Sequence, residues 1–373
     1  MTGANDATRD EPIPGDPRTV LVVSNRRLDE NSGRAEKFAT RARLLRDRGW
    51  KLRLGYVDPT ATGLPRGIAR CVRLARDADV IDSVSNPPHL QIAGAIAARA
   101  TGTPWVAEFR DPLVANPDVA PGSVAARVRR RLERYILVNA DRVVWYDGIQ
   151  IPDDYFATEY PDVPADRYRQ LPPIGFERAA FDAAMPRSLD RFTVTYAGSF
   201  YEGWIEPYTF LDGFGRFVDA NPGTEPQALF YGDWNDDYDR AARTHGVVDH
   251  VDPRPFVDHD ELIGVLKGSD ALLYVGGDDP RNRLNLPSKL YDYIGAGRPI
   301  LAVVDPSFRV AEVVRDNDLG IVVDPNDAEG VRTALERIQS NEFIFDPDPS
   351  AVAEFTRERS VATYVATLEA VAE

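Results

Sequence analysis

The chain is poor in cysteine, in lysine and in long apolar runs. Cys71 is the only cysteine among 373 residues, so an internal disulfide is excluded, and no Cys/His set has zinc spacing. The histidines, His89, His245, His250 and His259, are scattered. No run of about 18 apolar residues occurs, so no membrane-spanning helix is expected. Residues 1–18 are acidic, broken by proline and glycine, and lack the apolar core of a signal peptide. They read as a loose tail, and the cytoplasm is the expected location. Lys37, Lys51, Lys267 and Lys289 are the only lysines, so arginine supplies nearly all the positive charge against a net charge of -15 and a sequence pI of 4.9. An acidic, lysine-poor surface is a recurring solution to solubility in concentrated salt. A halophilic source is therefore one expectation and an ordinary acidic protein the other. Either way the negative field disfavours DNA or RNA as a main partner.

A hydrophobic fraction of 43% and a charged fraction of 28% are those of a packed globular chain. Its length suggests two domains. Short apolar runs alternate with helical patterns. Expected strands are Thr19–Ser24, Lys51–Val57, Asp79–Val84, Pro104–Phe109 and Arg142–Tyr146, with helices at Arg34–Arg48, capped by Gly49, and His89–Ala100, stopped by Gly102. Pro172, Pro173, Gly175 and Pro186 interrupt the pattern. It resumes with strands at Phe192–Ala197, Ala228–Tyr231, His250–Asp252, Ala271–Val275, Pro299–Val304 and Gly320–Val323. Helices follow at Asp260–Lys267, Pro287–Ala296 and Ser350–Ala372. The expectation is an α/β chain of two Rossmann-like parallel-sheet domains facing a shared cleft. Its divisions are a tail at 1–18, a first domain at 19–185, a second at 186–349, and a C-terminal helix at 350–373 crossing back to the first domain.

The most informative run is Asn285-Leu286-Pro287-Ser288-Lys289-Leu290-Tyr291-Asp292-Tyr293, closed by Gly295-Ala296-Gly297-Arg298-Pro299. Pro287 suits a helix start, where its missing N–H costs nothing. The free first-turn N–H groups and the positive end of the helix dipole favour a phosphate. Ser288 adds a hydroxyl and Lys289 a cation. Asp292, three residues after Lys289, shares their face, so a phosphate at Lys289 places a sugar hydroxyl near Asp292. The plainer alternative is an amphipathic helix with a local Lys–Asp pair.

This segment resembles the donor-binding helix of GT-B glycosyltransferases of the family 4 group, in its Pro-Ser-Lys variant followed by Gly-Arg-Pro. Other stretches are similar to the same group in the same order: Ser85-Asn86-Pro87-Pro88-His89 with Glu108-Phe109-Arg110-Asp111-Pro112; Leu132-Glu133 with Ala140-Asp141-Arg142-Val143-Val144; Pro173-Ile174-Gly175-Phe176-Glu177; and Thr195-Tyr196-Ala197-Gly198-Ser199-Phe200. The resemblance implies a transferase that moves a sugar from a nucleotide-diphosphate sugar to a glycan or lipid-linked acceptor, with retention and without a metal or other cofactor. Ser288 and Lys289, with Pro287 ahead of them, match diphosphate ligands, and Asp292 matches the acid that holds the donor ribose. Gly198 and Ser199 stand where backbone approaches phosphate, and Phe256, in Pro255-Phe256-Val257, on the loop beside the base. Gly33, in Ser32-Gly33-Arg34, matches a glycine loop near the phosphates. Each glycine is equally a simple turn.

The chain departs from the family at two places. Leu284 stands where a first acid is usual, with Asp278 and Asp279 as candidates to replace it. Tyr201-Glu202-Gly203-Trp204 carries no cation, which shifts phosphate neutralisation to Lys289, with Arg281 or Arg283 as further candidates. Arg110 and Asp111 are placed near the acceptor hydroxyl, or else form a pair that fixes their loop. His89 is an acceptor-side contact or a polar cap. Arg127, Arg129, Arg130, Arg131 and Arg134, interleaved with apolar residues, suggest either a peripheral contact with an anionic membrane or a solvated face paired to acids. Two other functions share the fold: a nucleotide-sugar 2-epimerase, and a degenerate nucleotide-sugar-binding subunit.

Overall fold

The computed structural model describes residues 16–25, 33–115, 119–120 and 122–373. Most of the expected tail, and Ser32 of the expected glycine loop, lie outside the described residues. The chain divides into two units: one reaching to Pro173 and including Arg357–Glu373, the other Ile174–Thr356.

In the first unit, β1 (Arg18–Ser24), β2 (Trp50–Tyr56), β3 (Val80–Val84), β4 (Trp105–Phe109), β5 (Arg142–Tyr146) and β6 (Tyr168–Leu171) form one parallel sheet. Its order is β2-β1-β3-β4-β5-β6. Val20, Leu21, Val22 and Val23 are all fully buried, as expected of a parallel strand covered by helices on both faces. The second unit repeats the plan with β7 (Thr193–Gly198), β8 (Gln227–Gly232), β9 (Val251–Arg254), β10 (Ala271–Gly277), β11 (Ile300–Val304) and β12 (Gly320–Val323), in the order β12-β11-β10-β7-β8-β9. Both orders reverse direction inside the sheet, between β1 and β3 and between β7 and β10. Open α/β sheets bind ligands outside the carboxyl ends of strands at such switch points.

Every expected strand is present. β6 was not anticipated, because its four residues alternate and only Leu171 is buried. The division falls at Pro173/Ile174 rather than 185/186, because Phe176 and Phe181 bury in the second unit's core. The expected helix at 350–373 is two helices, Pro349–Glu354 and Arg357–Ala372. Phe355 joins the second unit's core and Thr356 bridges to Phe176, so the chain leaves that unit only at Arg357.

Arg357–Ala372 closes the first unit over a buried ionic cluster. Asp82 of β3 and Glu108 of β4 are fully buried. Arg41, from the helix Gly33–Arg46, donates to Asp82 Oδ2 and Glu108 Oε2, each at 3.1 Å. Its guanidinium lies 4.1 Å from the ring centroid of Tyr364, whose hydroxyl donates to Asp82 Oδ2 at 2.5 Å. Burial, with the Glu108 carboxylate beside it, pushes Asp82 up to about 7 against the pull of Arg41. Burial would raise Glu108 too, but Arg110 and Arg41, both bonded to it, hold it below the usual carboxylate range.

The raised Asp82 makes stability pH-dependent. Folded Asp82 keeps its proton up to about pH 7, whereas in the unfolded chain it ionises near 3.8. Between those values the folded state binds more protons, so stability falls as pH rises. Asp82→Asn is expected to remove this slope. Between pH 5 and pH 7.5 the wild type should lose about 2 kcal/mol more than the variant in urea denaturation.

Candidate functional site

β7 and β10 pair only through Val194–Ala271 and Thr195–Leu272. Beyond these residues the strands part, and a cavity of about 400 Å³ opens at their carboxyl ends, within the size range of small-molecule sites. Ala197, Gly198 and Ser199 line it from the end of β7, Tyr274 and Val275 from β10, and Pro287, Ser288, Lys289 and Asp292 from a helix entry. Of the eight donor positions expected from the sequence, seven — Gly198, Ser199, Phe256, Pro287, Ser288, Lys289 and Asp292 — line this cavity.

The helix spans Ser288–Ala296, one residue shorter than expected: Pro287 has extended backbone (φ -71°, ψ 156°) and caps it from outside. Gly297, in the left-handed region (φ 65°), ends it. Leu290 N–H turns back to the Pro287 carbonyl at 2.9 Å. The first-turn N–H groups of Ser288 and Lys289 have no carbonyl one turn back within the helix, leaving donors for an anion at the cavity wall. Tyr293 fixes the helix against the sheet, its hydroxyl accepting from Ala197 N–H at 2.9 Å.

Among the described residues, Lys289 is the only cation lining the cavity and Asp292 the only acid. Lys289 Nζ donates to the Tyr196 hydroxyl at 2.7 Å, and that hydroxyl donates to the Ser199 carbonyl at 2.7 Å. Tyr196 is held in turn by stacking on Phe200, with centroids 4.3 Å apart. Burial alone lowers Lys289 to about 7. No carboxylate offsets that burial, so an anion entering the cavity would favour the charged ammonium.

Glycine is required at the end of β7. At Gly198 (φ 134°) a Cβ would stand 2.8 Å from Lys289 Nζ and 2.9 Å from its Cε. Gly198→Ala is therefore expected to displace the ammonium, lowering affinity for inorganic pyrophosphate about tenfold in calorimetry, the lower range for a charged hydrogen bond, while circular dichroism stays unchanged.

Across the cavity, Phe256 presents an exposed ring (61%) beside Val257, a surface on which a base can stack. Asp292 Oδ1 lies 3.2 Å from His259 Nε2. Tyr196 and His259 were not singled out from the sequence as site residues. Tyr196 stands one residue before Ala197 in the recognised Thr195–Phe200 stretch, and its partner is 93 residues away.

The other anticipated groups are committed elsewhere. Arg281 forms a two-point pair with Asp279 and lies 4.2 Å from the Trp204 ring centroid. Asp278, Asp279, Arg283 and Leu284 do not line the cavity.

In the first unit, the residues after β3 and β4 are tied together. Ser85 Oγ accepts from Arg110 N–H at 3.0 Å and donates to the Asp111 carbonyl at 3.2 Å. Asn86 Nδ2 donates to Asp111 Oδ2 at 3.1 Å. Arg110 does not pair with Asp111: its Nε donates to Glu108 Oε1 at 2.7 Å, since the buried Glu108 is the nearer, desolvated partner. Glu133 braces the same loop, accepting from Leu113 N–H at 2.5 Å and from the hydroxyls of Tyr155 and Tyr160. His89 begins the helix His89–Thr101, and burial lowers it despite contact with Val57 and Asp58. Gly33 is the first residue of its helix.

The basic helix Val124–Asn139 is largely paired. Arg130 bonds Glu159 at 2.6 Å, Arg134 pairs with Asp162, and Arg129 reaches the Leu113 carbonyl at 3.4 Å, while Arg127 and Arg131 are exposed. This pairing gives the membrane expectation no support. No helix among the described residues is long and apolar enough to cross a membrane.

Two Rossmann-like parallel-sheet units are the GT-B architecture, and solved structures share the fold. The chain is similar to HepE of Anabaena, solved with UDP (TM-score 0.64, 13% identity, covering 95% of this chain and 100% of that one). It is similar to a glycosyltransferase of Rickettsia africae (0.66, 12%, 96% and 99%). It is also similar to a Listeria monocytogenes protein provisionally assigned as a UDP-N-acetylglucosamine 2-epimerase (0.58, 11%, 95% and 96%). Residues 15–146 match the model of the glycosyl transferase 4-like domain. A comparison with curated protein sequences finds no match.

Proposed function

We propose that the protein transfers a sugar from a nucleotide-diphosphate sugar, bound in the second-unit cavity, to a glycan or lipid-linked acceptor, with retention of anomeric configuration. The observation that carries this reading is Lys289: a desolvated amine at a helix N-terminus, in a cavity, without an acidic partner. The match of residues 15–146 to a glycosyl transferase domain supports transfer over epimerisation.

In this reading the diphosphate rests on the Ser288 and Lys289 amides and the Lys289 ammonium. Negative charge grows on that leaving group as the glycosidic bond breaks, and positive charge on the sugar. Donors already aimed at the diphosphate stabilise it without reorganising. Ser199 and the bare backbone at Gly198 let the phosphates approach, Asp292 holds the ribose, and Phe256 covers the base. Arg110, Asp111 and His89 serve the acceptor side.

Incubation with labelled UDP-, GDP- and dTDP-sugars and a membrane fraction tests the proposal. Label transferred to a glycan or lipid supports it. Conversion of the free donor to its epimer, or binding without turnover, overturns it.

A further inference from the structure

We propose that His259 is a positioning residue that makes the cavity selective for a ribonucleotide over its 2′-deoxy form, by fixing the Asp292 carboxylate. This inference rests on the donor reading above and adds to it a residue and a selectivity.

Asp292 lies three residues beyond Lys289 on the same helix. A phosphate held at the helix start therefore brings the attached ribose to the next turn, about 5.4 Å along the axis. Asp292 is the only acid among the described residues lining the cavity, and its side chain is 23% exposed. A carboxylate rotates broadly about its last bond, so by itself it would accept hydroxyls in many orientations and discriminate weakly. His259 removes that freedom, because its Nε2 lies 3.2 Å from Asp292 Oδ1. A carboxylate only accepts, so Nε2 carries the hydrogen. The imidazole is itself held: it begins the helix His259–Gly268, which packs on Ser288–Ala296, and its ring stands edge-on to Phe181 with centroids 6.3 Å apart. With Oδ1 held by His259, the Asp292 carboxylate at the cavity wall is fixed in one orientation, and its remaining acceptor sites are left for a ligand. A vicinal diol fills two of them, whereas a 2′-deoxyribose leaves one without its hydrogen.

The test is calorimetric binding of UDP and GDP against 2′-deoxy-UDP and 2′-deoxy-GDP. The wild type is expected to prefer the ribonucleotide by about tenfold or more, as for a hydrogen bond to a charged group. H259F, which keeps a ring against Phe181 without the donor, and H259A should each bind the ribonucleotide within about threefold of the deoxy form, with deoxynucleotide affinity unchanged. H259Q, which restores an N–H donor, should recover the preference. A merely structural role would weaken both nucleotides alike and would not be rescued by glutamine. Preference retained in H259F and H259A, or equal loss of both ligands, overturns the inference alone. A wild type that binds none of the four nucleotides overturns the donor reading as well.

Discussion

Replacing Arg41 with methionine is expected to destabilise the first unit by about 3–5 kcal/mol, the usual cost of removing one partner from a buried ion pair. Arg41 is the cation bonded to both Asp82 and Glu108, each fully buried. Without it, the Glu108 carboxylate and the Asp82 carboxyl share an apolar interior with only Arg110 beside Glu108. Methionine retains much of the side-chain volume, so the loss reads out charge rather than a cavity. The guanidinium also packs on Tyr364, so amide exchange in the helix Arg357–Ala372 should accelerate in the variant along with the drop in urea midpoint. An unchanged midpoint would show that the cluster is more hydrated than its burial implies.

Replacing Lys289 with methionine should act in the opposite sense on stability while removing function. Burial holds this amine near 7 rather than 10.5. Between those values the unfolded chain binds a proton that the folded, empty protein does not, so stability rises with pH there; below pH 7 the full penalty of burying the ammonium applies. Methionine removes that penalty, and the empty protein is expected to gain at least about 1 kcal/mol at pH 7, a rise of about 2–4 °C in Tm for a unit of this size. Donor binding should weaken by about 1–3 kcal/mol, roughly five- to 150-fold, because the charged hydrogen bonds to the diphosphate are lost. A bound diphosphate also raises the amine's proton affinity, so binding of UDP at pH 7 should take up a fraction of a proton. That uptake is measured by calorimetry in buffers of different ionisation enthalpy. Affinity should therefore fall between pH 7 and pH 9 in the wild type and stay level in the variant. Equal UDP affinity in the two proteins would remove the basis of the donor site.

The cavity was legible in the sequence because its parts are local. Pro287, Ser288, Lys289 and Asp292 are set by one helix, so their spacing alone places them together. Gly198 and Ser199 end a strand whose apolar run is unmistakable. What escaped the reading depends on pairings across long separations. Tyr196 and Lys289 meet because β7 adjoins β10, the strand that precedes the helix, in the sheet, and His259 meets Asp292 because two helices pack. Neither partner has a local pattern to reveal it. Arg110 illustrates the same limit: Asp111 is its neighbour in sequence, but the buried Glu108, two residues back, is its partner in space. The domain division was misjudged for a related reason: prolines at 172 and 186 look alike in sequence, whereas the burial of Phe176 and Phe181 decides which of them is the crossing.

The chain visits the first unit, builds the whole of the second, and only then returns with Arg357–Glu373. Until that segment returns, the first unit lacks Tyr364 over Asp82 and Arg41. A premature stop a few codons after Thr356 would spare the second unit's cavity but leave the earlier-made half of the protein permanently unfinished, its charged interior uncovered at the surface.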